Sequence, residues 1–83
     1  RMDLIVFYGN EEHIVELKLW HGQKRENDAY DQLAGYLEAR GQNRGYLVSF
    51  CGLKNPPTRG EWITRGGCLI YEEVVSFSVD GGG

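Results

Sequence analysis

The sequence predicts an α/β domain on a mixed β-sheet, and three observations carry that prediction. Residues 2–8 (MDLIVFY) and 12–20 (EHIVELKLW) are rich in β-branched, aliphatic and aromatic residues and flank Gly9-Asn10, a two-residue hairpin signal. One amphipathic helical stretch follows. After it come a short apolar run, residues 45–50 (GYLVSF), and two further β-rich segments on either side of Arg65-Gly66-Gly67. Strand, helix, strand in this order calls for a right-handed crossover, so residues 45–50 are expected to run parallel to residues 12–20.

The first hairpin fixes a register. If Tyr8 faces Glu11 across the turn, then Ile5 faces Ile14 and Asp3 faces Glu16, with opposed Cβ atoms about 4.5–5.5 Å apart. Lys18 lies two residues beyond Glu16 and therefore on the same face. Two carboxylates and a lysine on one sheet face have the composition of a divalent-metal site, because like charges opposed across a strand pair are destabilising without a cation. The plain alternative is a set of surface ion pairs worth about 0–1 kcal/mol. A three-residue loop would instead set Asp3 against Leu17.

Residues 22–27 read as polar loop, with Asn27 as helix N-cap and Asp28 and Asp31 in the first turn, where carboxylates complement the helix dipole. The helix is expected to reach about Arg40, and Gly41 supplies a left-handed stop. Ala29, Tyr30, Leu33, Tyr36 and Leu37 form its apolar arc, and Gln32 lies at the margin of that arc beside Tyr36. The nearly continuous apolar run at 45–50 is the pattern of a strand covered on both faces. Residues 51–60, with Pro56-Pro57, read as loop. Residues 61–64 and 68–71 form a second hairpin on a Gly-Gly turn, and Val75, Phe77 and Val79 extend it or add a strand. The reading is one domain over residues 1–80 and a glycine tail at 81–83.

The 83 residues are 41% hydrophobic and 25% charged, which excludes disordered and fibrous classes. No apolar run is long enough for a membrane span and no signal segment opens the chain, so a cytoplasmic protein without membrane contact is expected. A net charge of −3 argues against gripping nucleic acid by bulk electrostatics alone, although a bound cation reverses the local sign around acids. Cys51 and Cys68 form no CxxC and are expected as buried free thiols; His13 and His21 match no zinc spacing.

Asp3 at the head of a hairpin, Glu16-Leu17-Lys18 in its second strand, and a helix bearing Gln32-Leu33-Ala34-Gly35-Tyr36 resemble the PD-(D/E)XK nuclease superfamily, in its RecB-like branch with a QxxxY helix motif. VELKLWHG, DQLAGYLEARG and GYLVSF are similar to the nuclease-like domains at the C-terminal end of predicted bacterial AAA-type ATPases. The resemblance covers residues 2–50. Met2 stands where the superfamily's name has proline, and the first helix of the family core has no counterpart here.

The resemblance implies a restriction-endonuclease-like core lacking its first helix, in a fragment of a larger protein or in a chain that a second copy completes as a homodimer. It implies that Asp3, Glu16 and the Leu17 carbonyl hold Mg²⁺ or Mn²⁺, and that Lys18 orients water or stabilises the transition state. Gln32 and Tyr36 would help position the site or the strand, Tyr36 being first a core aromatic. The function so implied is a metal-dependent nuclease acting on DNA rather than RNA, appended to an ATPase; the competing expectation is a non-catalytic interaction or dimerisation module with the same fold.

Overall fold

The computed structural model describes residues 2–53 and 59–77, apart from the side chains of Met2, Asp3 and Arg59. Pro56-Pro57 and the glycine tail lie outside the described residues. The elements are β1 (Met2–Tyr8), β2 (Glu11–Leu19), α1 (Gln23–Ala39), β3 (Arg44–Cys51), β4 (Arg59–Arg65) and β5 (Cys68–Ser76). They form one five-stranded mixed sheet in the order β1-β2-β3-β5-β4. β1 and β4 pair antiparallel at the two ends, and β3 runs parallel to both β2 and β5. No helix among the described residues is long and apolar enough to cross a membrane.

Both hairpins turn where glycine permits it. Gly9 and Gly66 take positive φ, 62° and 58°, which L side chains rarely adopt. The two-residue turn at Gly9-Asn10 sets the register expected from the sequence, and β5 reaches Ser76 as an extension of the second hairpin.

Helix α1 begins four residues earlier than Asn27. Gln23, Lys24, Arg25 and Glu26 are good helix formers, and Gly22, at φ 99°, lets the chain leave β2 and enter the helix without a side-chain cap. Glu26 therefore occupies the first turn, while Asn27 accepts a hydrogen bond from Gln23 one turn back. The far end is a Schellman motif: Gln42 N–H donates to Leu37 O at 2.8 Å, Gly41 N–H donates to Glu38 O at 3.0 Å, and Gly41 has φ 72°.

The helix buries Ala29, Tyr30, Leu33 and Leu37 against Ile14, Leu47, Cys68 and Ile70. Each large aliphatic among them contributes about 1.5–3 kcal/mol. Cys51 and Cys68 are buried free thiols, as expected. The expectation that β3 is covered on both faces fails: its burial alternates, with Leu47, Ser49 and Cys51 beneath α1 and Tyr46, Val48 and Phe50 on a face that no helix covers. One helix can cover only one side of a sheet.

Gly45 marks the closest approach of α1 to β3, since a Cβ there would lie 2.8 Å from Leu37 Cδ1. Leu37 is fully buried and has nowhere to move. Gly45→Ala is expected to cost about 1–3 kcal/mol through overpacking. A lowered urea midpoint with unchanged slope checks it; an unchanged midpoint would show that Leu37 can shift.

Candidate functional site

The acid pair expected from the sequence is built into the hairpin, where Asp3 is the register partner of Glu16. Along β2, Ile14 and Glu16 are buried on the side of α1, and Lys18 follows at the same parity. Leu17 has the opposite parity, so its side chain belongs to the uncovered face and only its carbonyl could serve a site. The side chain of Asp3 lies outside the described residues. Among the described residues, no three His, Cys, Asp or Glu side chains are grouped to hold a metal ion.

Three of the singled-out residues share a cleft. Glu16, Lys18 and Gln32 line a space of about 290 Å³ between the end of β2 and the first turns of α1, together with His21, Arg25 and Asp28. The early helix start contributes to this arrangement, because it places Arg25 on a helical turn instead of in a loop, one turn before Asp28 and Gln32. The cleft thus combines the carboxyl groups of Glu16 and Asp28 with Lys18, Arg25 and His21. Tyr36 is not part of it. That side chain sits one turn further along, half-buried against the core, with the Arg40 guanidinium 5.8 Å from its ring centroid.

Lys18 is held firmly. Its Nζ donates to Glu26 Oε1 at 2.8 Å and to Leu19 O at 2.9 Å. Glu26 is 0% exposed, and its other oxygen accepts from Ser49 Oγ at 2.6 Å. Burial alone would raise the Glu26 carboxyl, but hydrogen bonds from Glu72, Lys18 and Ser49, with the Lys18 charge, outweigh it and hold the group below its ordinary value. Glu72, also 0% exposed, accepts from Tyr30 OH at 2.5 Å. Burial, and then the bond to Glu72, push the Tyr30 hydroxyl up, so it remains a donor.

A hydrogen bond between two carboxyl groups needs a proton on one of them. That proton lies between Glu72 and Glu26, whose two oxygens also accept from Lys18 and Ser49. The result is a buried chain from Tyr30 through Glu72 and Glu26 to Lys18, tying the cleft lysine to the core. The sequence reading passed over Glu26, Ser49 and Glu72. The signal was present: Glu26 falls on the stripe of Ala29, Tyr30, Leu33 and Leu37, and Glu72 alternates with Cys68, Ile70 and Val74 on the buried parity of β5. A charged residue at an apolar position is the mark of a buried polar network. No family model, curated protein or solved structure matches the chain, so the residues and their geometry are the whole basis for a functional reading.

Proposed function

We propose that this chain is a divalent-metal-dependent phosphodiesterase domain acting on nucleic acid, DNA rather than RNA, as the nuclease-like resemblance implies. One observation supports it above the rest: Glu16, the register partner of Asp3, lines the same cleft as Lys18 and Gln32. An all-oxygen donor set of Asp3, Glu16 and the Leu17 carbonyl suits Mg²⁺ or Mn²⁺. Such an ion, when bound, polarises a phosphodiester and lowers the pKa of a water. Lys18 spends two of its three N–H donors on Glu26 and Leu19, which leaves one to hold a phosphate oxygen at the point where charge develops. Arg25 supplies further positive charge at the rim, and Gln32 directs the strand. A cytoplasmic location accompanies this reading, as does attachment to an ATPase.

Millimolar Mn²⁺ is expected to raise the melting temperature. At ten times Kd the gain is roughly 1.4 kcal/mol, or about 6–11 °C for a domain of this size. Asp3→Asn and Glu16→Gln each remove the rise, and each lowers Mn²⁺-dependent cleavage of plasmid or single-stranded DNA by at least the 10–100-fold that loss of an outer-shell partner brings. No rise with either ion, together with no cleavage, would defeat the proposal. The second reading, an interaction module retaining the fold, is favoured by the uncovered sheet face.

A further inference from the structure

The face of the sheet away from α1 bears apolar side chains from all five strands. Val6, Leu19, Phe50, Trp62, Leu69 and Val75 stand on it, each more than a third exposed. The molecule is only 20 Å across its shortest extent, the depth of one sheet and one helix. We propose that this face is a docking surface for a second copy of the chain, forming a two-fold dimer sheet against sheet. The inference deepens the interaction-module reading and stands whether or not the cleft cuts phosphodiesters.

Size is the first argument. Five strands about 4.8 Å apart, each rising about 3.3 Å per residue over roughly seven residues, give about 550 Å² in projection before side-chain relief is added. A standard dimer interface takes about 800 Å² of accessible surface from each partner, which a face of about 550 Å² in projection approaches once the relief of its side chains is counted. Scattered surface apolar residues need no such explanation, but apolar side chains gathered from every strand onto one uncovered sheet face mark a surface suited to association.

Charge selects the occupant. The face carries both signs: Arg44 at one level, Glu73 and Glu11 elsewhere. Nucleic acid or an anionic membrane would want one sign throughout. The register places Arg44 beside Leu69, Tyr46 beside Tyr71, and Val48 beside Glu73. A two-fold axis lying across the strands at the level of Tyr46 exchanges the level of Arg44 with that of Glu73. It sets Arg44 of each copy across from Glu73 of the other, offset sideways by one strand spacing of about 4.8 Å between sheets about 10 Å apart, a gap two long side chains can bridge, twice by symmetry. Between these pairs lies an aromatic centre in which Tyr46, Trp62 and Tyr71 already touch, with ring centroids 6.0 and 5.2 Å apart, the amphipathic material of interface hot spots.

The test is the mass of the chain in solution, by light scattering after size exclusion and by sedimentation, with neither metal nor DNA present. Failure here therefore leaves the phosphodiesterase proposal standing, and the reverse. A concentration-dependent dimer is expected. Leu19→Lys combined with Val75→Lys alters positions exposed in the single chain, so the circular dichroism spectrum should persist while Kd rises on the order of 100-fold. Arg44→Glu and Glu73→Arg alone each weaken the dimer by about tenfold, and the two together restore it. A single-chain mass at every concentration would overturn the proposal. So would a dimer indifferent to the double lysine variant, or a charge reversal that fails to restore pairing.

Discussion

Lys18→Ala is expected to lower stability by about 3–5 kcal/mol, because it leaves the Glu26 carboxylate buried without its cation. The pair is nearly dry, with 13% of the Lys18 side chain and none of the Glu26 side chain exposed. A domain of this length has a total stability of only about 4–12 kcal/mol, so the loss is a large fraction of the whole. Lys18→Met, which keeps the aliphatic stem, should lose nearly as much and so assigns the effect to charge.

The pH dependence carries the sign. The Glu26 carboxyl is depressed in the folded protein, so its contribution is present above the unfolded value near 4.5 and is lost as pH falls through the folded value. Without Lys18 the lowering contributions diminish and burial prevails. The deficit of the variant should therefore be greatest near about pH 7 and shrink as pH falls toward about 4. Urea unfolding of both proteins across that range measures it. A deficit constant with pH would mean that Glu26 is not ionised in the native chain.

The second large effect separates two substitutions at one position. Glu72→Ala is expected to cost about 3 kcal/mol, since it opens a cavity in a fully buried layer and leaves the Tyr30 hydroxyl and Glu26 each short of a partner. Glu72→Gln should cost about 1 kcal/mol or less, because it keeps the side-chain volume and its carbonyl still accepts from Tyr30. Denaturant midpoints at neutral pH distinguish the outcomes. Equal losses for both variants would show that no proton is shared between the two acids.

Much of the scaffold was legible because local chemistry dictates it. Gly9-Asn10 favours a two-residue turn over a three-residue loop, and that turn set Asp3 opposite Glu16; Gly66-Gly67 did the same for β4 and β5. Gly41 stopped the helix as its position suggested. The helix start was missed because Asn27 is a strong capping residue by type, yet Gly22 already provides the turn out of β2 and residues 23–26 gain more by packing a further helical turn on the sheet. The cover on β3 was misjudged because a continuous apolar run records burial or exposure to a partner alike, and the chain has one helix to lay over it. Of the candidate site, Glu16, Lys18 and Gln32 converge while Tyr36 does not, since one helical turn moves a side chain about 5.4 Å along the axis. The network behind Lys18 could not be assembled from spacing, because Glu26, Ser49 and Glu72 come from three elements whose meeting depends on the crossover.

The core under α1 takes its strand residues from β2, β3 and β5, with Ile63 of β4 packed against it, and none from β1 among the described residues. On the helix side Ile5 is 39% and Phe7 70% exposed, so this strand is retained chiefly by its ladder to β2. An edge strand paired on one side only belongs to the part of a domain that opens first. Asp3 rides on that edge strand while Glu16, on a strand paired on both sides, is anchored in the core. An ion gripped by both acids would act as a latch on the outermost strand, and its apparent affinity would be reduced by the fraction of molecules in which that strand has lifted away.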